Sequence, residues 1–279
     1  MIRAKITSDE FQIFKKYIYE SSGIALETGK EYLLETRLNP LLTEYNCSTF
    51  KDLYLKSKSD NSHKIEESII DAISTNETYF FRDKTPFELL QHKILPDLID
   101  KRSKSSALKP AIKLWSAASS TGQEIYSIAM TLDEMGISTA NYNIKLLGTD
   151  ISDAAVAQAS YGSYNKFEVS RGLEQEKLNR YFVEENGKWR IKDQIRIMAQ
   201  FKKLNLMKPF GNIGKFDIIL CRNVMIYFTI EDRKKIYKNL ARSLESDGYL
   251  LIGSTESLTN ITDIFKSQRY LQSTFYQFK

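Results

Sequence analysis

The sequence predicts an α/β protein. Its main part is a mostly parallel sheet covered by helices, with an antiparallel last strand, an all-helical domain in front and a small β-subdomain inserted. Three observations carry this. Residues 1–75 place apolar side chains at helical spacing throughout, and from Ala111 onward short apolar runs alternate with helical patterns. Between the two alternating stretches, the hairpin pair Asn186-Gly187 interrupts the rhythm. At roughly 100 to 200 residues per domain, a length of 279 residues suggests two domains or one large domain carrying an extra module, read here as 1–75 and 76–279 with the insertion at about 166–200.

Along the chain, Thr7 and Glu10 form a capping box ahead of Phe11, Phe14 and Ile18, and Gly23 stands where that helix should stop. A second helical pattern runs through Leu34, Leu38, Leu41, Leu42 and Tyr45, which Pro40 is expected to kink or restart. Ser48 is placed to cap a short helix bearing Phe50, Leu53 and Tyr54, and Ile65, Ile69 and Ile73 mark a fourth helix. Thr85-Pro86 opens the next, and the polar stretch 103–106 reads as a loop. Strands are expected at 112–117, 144–149, 216–221 and 249–253. Helices fall between them at 123–135, after the capping Ser152, and at about 231–244, and 265–278 reads as a final antiparallel pair. In the insertion, 174–182 is helical and 182–192 a hairpin with Trp189 and Ile191 on its return strand.

Composition excludes several function classes. Hydrophobic residues make up 42% and charged residues 27%, so a globular chain is expected. The N-terminus has no apolar signal region, and no apolar run reaches the ~18 residues of a membrane span, so a cytoplasmic protein without membrane insertion is expected. Cys47 and Cys221 are far apart and read as buried thiols, leaving no basis for a zinc cage or disulfide framework. His63 and His92 lie in charge-rich helical patterns, which argues against histidine catalysis. The net charge is +5, divided as −2 on the first 75 residues and +7 on the rest, with both signs mixed, so charge alone names no partner; nucleic acid is not among the partners expected here.

In an open α/β sheet, ligands bind beyond the carboxyl ends of the strands. The loop after the first strand, SAASSTGQE, has one glycine, Gly122, and lacks the patterns that cradle a pyrophosphate or triphosphate. It offers small residues and the carboxylate of Glu124, which suits an ammonium or sulfonium. The second strand ends at Asp150, where an acid can accept hydrogen bonds from ribose hydroxyls or serve as a helix cap. Together these features point to a nucleoside ligand without a diphosphate, a description that S-adenosylmethionine meets. Two further polar segments, 74–82 and 221–228, should reach the same sheet edge. Within them Arg82, Arg222, Tyr79 and Tyr227, and Asn205 elsewhere, are open to either surface or site roles.

The strings STNETYFFRD, LWSAASSTGQEIYSIA, LGTDIS, LNL and CRNVMIYF, in this order, resemble the chemotaxis receptor glutamate methyltransferases, the CheR family. The resemblance spans essentially the whole chain. It implies a class I S-adenosylmethionine-dependent methyltransferase domain behind a helical domain, with a β-subdomain inserted. It also implies methylation of glutamates on the cytoplasmic helices of chemoreceptors, which become the expected partner. Carried over by position, Asn76, Thr78 and Arg82 contact the cofactor, Arg82 through its carboxylate. Glu124 sits near the methionine ammonium, Asp150 on the ribose, and Asn205 and Leu206 in the adenosine pocket. Arg222 and Asn223 complete the site, Tyr227 lies close to the transferable methyl, and Arg222 is expected to steer the incoming carboxylate. No metal is implied.

This sequence departs from the family at three places. The usual Glu-Glu-Pro after Gly122 reads Gln123-Glu124-Ile125, which keeps the acid. Helix 31–45, strongly basic in the best-known members, carries Arg37 as its only cation, so docking is expected to use Arg37 with weak steering. The hairpin loop Glu184-Glu185-Asn186-Gly187-Lys188 lacks the Gly-x-Gly insertion of members that grip a receptor pentapeptide, so a tether-independent enzyme is expected. The competing readings are a class I methyltransferase of RNA or a small molecule, and a non-catalytic cofactor-binding regulator.

Overall fold

The computed structural model describes residues 4–105 and 109–279. Its first part is four helices, α1 (Ser8–Ser22), α2 (Glu31–Glu44), α3 (Phe50–Ser59) and α4 (Lys64–Ile73), closed over one apolar core. The spacing of Phe11, Phe14 and Ile18 in α1 and of Ile65, Ile69 and Ile73 in α4 delivers all six side chains to that core. Thr7 Oγ1 accepts from Glu10 N at 3.3 Å and Glu10 Oε2 from Thr7 N at 2.9 Å, so the capping box forms in both directions. The helix ends at Gly23 with φ +82°, and a Cβ there would stand 2.3 Å from Met207. Glycine is therefore required both by the backbone and by the close approach of the sheet domain.

Two local expectations change. Thr49, not Ser48, caps α3, because its hydroxyl is the one that reaches Asp52 N. Helix α2 passes through Pro40 without restarting. Leu34 and Leu38 before the proline and Leu41 and Leu42 after it share one buried face, and that burial outweighs the missing N–H donor.

Helix α5 (Thr85–Leu89) continues through a π-helical turn, Leu90–Ile94, into α6 (Leu95–Ser105). The stretch read as a loop at 103–106 is thus helical up to Ser105, and residue 106 lies outside the described residues. Arg102 anchors this last turn by pairing with Asp217 and Asp247 at 2.7 and 2.8 Å.

The main sheet contains β1 (Ala111–Ala117), β2 (Asn143–Asp150), β6 (Ala199–Lys203), β7 (Phe216–Cys221), β8 (Leu244–Ile252), β9 (Phe265–Tyr270) and β10 (Ser273–Phe278). Its order is β6-β2-β1-β7-β8-β10-β9. The first five strands are parallel, and β10 is antiparallel to both of its neighbours. This is the mostly parallel sheet with a final antiparallel strand that the alternation predicts. The strand residues divide between the faces with period two. Leu114, Ile218 and Leu251 enter the core under α7 (Gln123–Glu134), while Trp115, Ile219 and Leu250 enter the core under α12 (Ile230–Arg242).

After α8 (Asp153–Tyr161), the insertion folds as β3 (Ser163–Tyr164), α9 (Lys166–Ser170), α10 (Gln175–Tyr181), β4 (Phe182–Glu185), β5 (Lys188–Ile191) and α11 (Asp193–Arg196). The Asn186-Gly187 turn has positive φ at both residues, as a tight hairpin requires. Its sheet has a third strand, β3, whose two residues are too few to show in a hydrophobic pattern.

Candidate functional site

Strand order reverses around β1, so the loops after β1, β2 and β7 diverge at their carboxyl ends and open a cleft. It holds about 1080 Å³ including its open mouth. Asn76, Thr78, Arg82, Glu124, Asp150, Asn205, Leu206, Arg222, Asn223 and Tyr227 all line it.

One wall is the sheet edge. In the loop after β1, Ala118, Ser120 and Gly122 have φ of +63°, +51° and +94°. This left-handed course is strained for the two that carry a Cβ. It turns Ser120 N toward Asp150, whose Oδ2 accepts from it at 2.8 Å while Oδ1 accepts from Ser152 N at 3.0 Å. Ser152 itself caps α8, so Asp150 is not the helix cap. Burial pushes the Asp150 carboxyl above its ordinary value, and the two N–H donors counter this in part.

Glu124 stands one residue inside α7, where Ser116 Oγ donates to Oε1 at 2.8 Å and Arg222 Nη1 to Oε2 at 2.6 Å. Arg222 Nη2 donates to Asp83 Oδ2 at 2.8 Å and to the Arg82 carbonyl at 3.0 Å. With its side chain 2% exposed, Arg222 is a buried tie between β7, α7 and the segment 82–83. One guanidinium between two carboxylates leaves the cluster negative.

The opposite wall is the segment joining the two parts of the chain, and it is held by side chains from elsewhere. Ser120 Oγ donates to the Asn76 carbonyl at 3.2 Å and Phe81 N to Ser127 Oγ at 2.9 Å. The Arg171 guanidinium lies 4.7 Å from the Tyr79 ring centre and pairs with Glu77 at 3.2 Å. Gly172, at φ +82°, lies so close that a Cβ would be 1.8 Å from the Phe80 carbonyl oxygen. Arg37, expected to be a docking charge, is half-buried and turned inward. Its Nη1 donates to the carbonyls of Ile73 and, at 3.1 Å, Ser74, and Nη2 donates to Thr75 Oγ1 at 3.1 Å.

The helical part closes the cleft with Ile24, Leu26 and Leu33. Asn205 Nδ2 donates to the Ser21 carbonyl at 2.9 Å, and Ala25 N to the Tyr227 carbonyl at 2.9 Å, so the seam between the two parts runs through the site. The 222–227 loop is shaped by Glu256, whose carboxylate accepts from the backbone N–H groups of Asn223, Met225 and Gly253 at 3.0, 3.0 and 2.7 Å.

The sequence reading missed Asp83 and Glu256. Asp83 could have been found as an acid beside Arg82. Glu256 follows the end of β8 much as Glu124 and Asp150 follow β1 and β2, and the same rule would have found it. Cys221 is fully buried with its thiol pushed up by that burial, whereas Cys47 is only half-buried, against expectation.

The donor set fits the expected cofactor. The cleft offers the carboxylates of Glu124 and Asp150 and the apolar side chains of Ile24, Leu26, Leu33 and Leu206, which are the groups a cationic nucleoside ligand can use. Two buried side-chain atoms on lining residues, Arg222 Nε and Ser119 Oγ, have no partner among the described residues. Such orphaned atoms are what a polar ligand would satisfy.

Comparison with known proteins agrees. Residues 9–74 match the family model described as "CheR methyltransferase, all-alpha domain", and residues 76–273 match "CheR methyltransferase, SAM binding domain". The chain is 36% identical to a chemotaxis protein methyltransferase of Vibrio parahaemolyticus over 282 aligned positions, covering 100% of both chains. It is 38% identical to one of Borreliella burgdorferi, covering 92% of this chain and 91% of that one. It is 33% identical to chemotaxis protein methyltransferase Cher2 of Pseudomonas putida, covering 97% of this chain and 98% of that one. The protein belongs to the CheR methyltransferase family and its cofactor is S-adenosylmethionine.

Proposed function

We propose that the protein transfers a methyl group from S-adenosylmethionine to glutamate carboxylates on the cytoplasmic helices of chemoreceptors, giving methyl esters, without a receptor pentapeptide tether. The observation that carries the reading is one cleft lined by an acid at the end of β2, a second acid at the start of α7, and Tyr227. The names of the relatives support the chemotactic substrate. When bound, the cofactor supplies an electrophilic methyl on a cationic sulfur. A glutamate, with an unperturbed pKa of about 4.3, is already ionised at neutral pH and needs no general base. Its oxygen would form the bond to carbon as the carbon–sulfur bond broke, leaving that electron pair on sulfur. No proton moves.

The chain's residues therefore bind, orient and exclude water. Glu124 meets the methionine ammonium, Arg82 its carboxylate, and Asp150 the ribose hydroxyls. Asn76, Thr78, Asn205, Leu206 and Asn223 enclose the rest, and Tyr227 orients the space beside the methyl. Arg222 is read as a tie rather than as the group that steers the nucleophile, because Nη1 and Nη2 already donate to Glu124 and Asp83 and only Nε is left without a partner. It holds Glu124 and Asp83 in place, and a guanidinium bound so does not over-stabilise the attacking carboxylate in the ground state.

The test is incubation with methyl-labelled cofactor and receptor-enriched membranes. Label should enter as a base-labile ester on the receptor, equally with and without a receptor C-terminal pentapeptide. Label in RNA or in small molecules, or cofactor binding with no transfer at all, would overturn the reading.

A further inference from the structure

We propose that Arg37, a residue of the helical part, is a positioning residue of the cofactor pocket rather than a receptor-docking charge. This inference rests on the reading of the cleft as the cofactor site. Its basis is geometric. Helix α4 ends at Ile73, and its last carbonyls have no intrahelical donors, as at any helix end. Ser74 N still bonds back to the Ile70 carbonyl at 2.8 Å, and beyond it the chain leaves the helix to enter the cleft at Thr75, Asn76 and Thr78. The Arg37 fork closes this exit. One terminal nitrogen takes the carbonyls of Ile73 and Ser74, and the other takes the Thr75 hydroxyl.

The next attachment of the segment is from the other side, where Ser120 Oγ reaches the Asn76 carbonyl at 3.2 Å. Ser120 N is also the donor to Asp150. Arg37 on one side and Ser120 of the loop after β1 on the other thus grip successive residues, Thr75 and Asn76, of a stretch in which Thr75, Asn76 and Glu77 are all exposed. A planar fork with fixed donor angles sets the direction of this stretch in a way a lysine ammonium cannot. The pairing also explains why a helix with so little positive charge keeps this one arginine half-buried. Its charge is neutralised by carbonyl dipoles at a helix C-terminus, where a cation is favoured.

The experiment is calorimetric titration of S-adenosylhomocysteine into wild type, Arg37→Met, Arg37→Lys, Thr75→Val and the Arg37→Met/Thr75→Val double variant, with steady-state kinetics on both substrates. Arg37→Met should weaken the nucleoside by about tenfold, the scale of a lost charged hydrogen-bond set. KM for the cofactor should rise in step, while KM for receptor stays near wild type. Arg37→Lys should recover part of the affinity. The double variant should bind no more weakly than Arg37→Met alone, because the hydroxyl acts through the guanidinium. Should Arg37→Met unfold, Thr75→Val carries the test by itself through a smaller loss of nucleoside affinity. Native affinity in the folded Arg37 variants, or a rise confined to KM for receptor, would overturn the inference and return Arg37 to docking. Absence of binding by wild type would instead remove the cofactor reading of the cleft.

Discussion

The two walls of the cleft are built by different means. On the sheet side, Glu124 follows β1 and Asp150 ends β2, strands whose parallel register runs unbroken from Ala111↔Asn143 to Ala117↔Thr149, and each carboxylate is fixed by neighbours within the same domain. On the joining-segment side, residues 75–82 belong to no helix or strand and are held from outside by Arg37, Ser120, Ser127, Arg171 and Gly172. A wall made of element ends inherits its rigidity from the sheet. A wall made of a joining segment has only the rigidity that long-range contacts lend it, and opens locally at lower free energy.

The largest expected effect comes from the residue that ties the walls together. Arg222→Met would leave Glu124 and Asp83 facing each other without a cation. Stability in urea should fall by about 3 kcal/mol, the low end for breaking a buried pair because Asp83 remains reachable by water. Adding Glu124→Gln to that variant should restore part of the loss. An unchanged midpoint would mean that the tie does not hold the walls.

Next is Gly172→Ala, which tests the joining segment alone. Positive φ and the contact with the Phe80 carbonyl should together cost about 2 kcal/mol. The damage should appear in hydrogen exchange as faster opening of residues 77–82, with 117–124 unaffected. Equal acceleration in both stretches would abolish the distinction between the walls.

Asp150 tests the sheet side. Asp150→Ala should weaken S-adenosylhomocysteine by about tenfold or more, since a charged acceptor is lost. Burial raises the Asp150 carboxyl, and the ionised form is the one that accepts from two hydroxyls. Wild-type affinity should therefore decline on acidification while the pH is still above the ordinary aspartate value of about 3.9, and Asp150→Asn should lack that decline. An identical pH profile in the two proteins would assign the limb to another group.

The smallest expected effect is that of Tyr227→Phe, which keeps the ring in the lining of the cleft and removes its hydroxyl. A fall in kcat of less than about tenfold with unchanged KM for the cofactor would place the tyrosine beside the methyl rather than on the nucleoside. Cofactor affinity lowered as much as by Asp150→Ala would reverse that assignment.

Much of this molecule is legible along the chain because its signals are local. The capping box at Thr7 and Glu10, the Ser152 cap, the period-two strands and the Asn186-Gly187 turn each depend on residues a few positions apart. The motif resemblance added the residues of the joining segment, which no periodicity marks. Local rules failed where burial competed with them. Helix α2 continues through Pro40 rather than restarting, and the polar stretch ending at Ser105 stays helical where Arg102 finds acids on β7 and β8.

The sequence by itself determined the fold class, the family and ten of the residues that line the cleft, since strand ends and ordered motifs place them wherever the sheet forms. Only the tertiary structure decided what those residues hold. Arg37 reads as a surface charge, and Arg222 is open to surface or site roles, until their partners are seen. Each guanidinium takes its role from acceptors dozens of positions away, at Ile73 to Thr75 for one and at Asp83 and Glu124 for the other. The charge of an arginine is written in the chain, but the groups that neutralise it are chosen by which backbone and carboxylate oxygens folding brings within its reach.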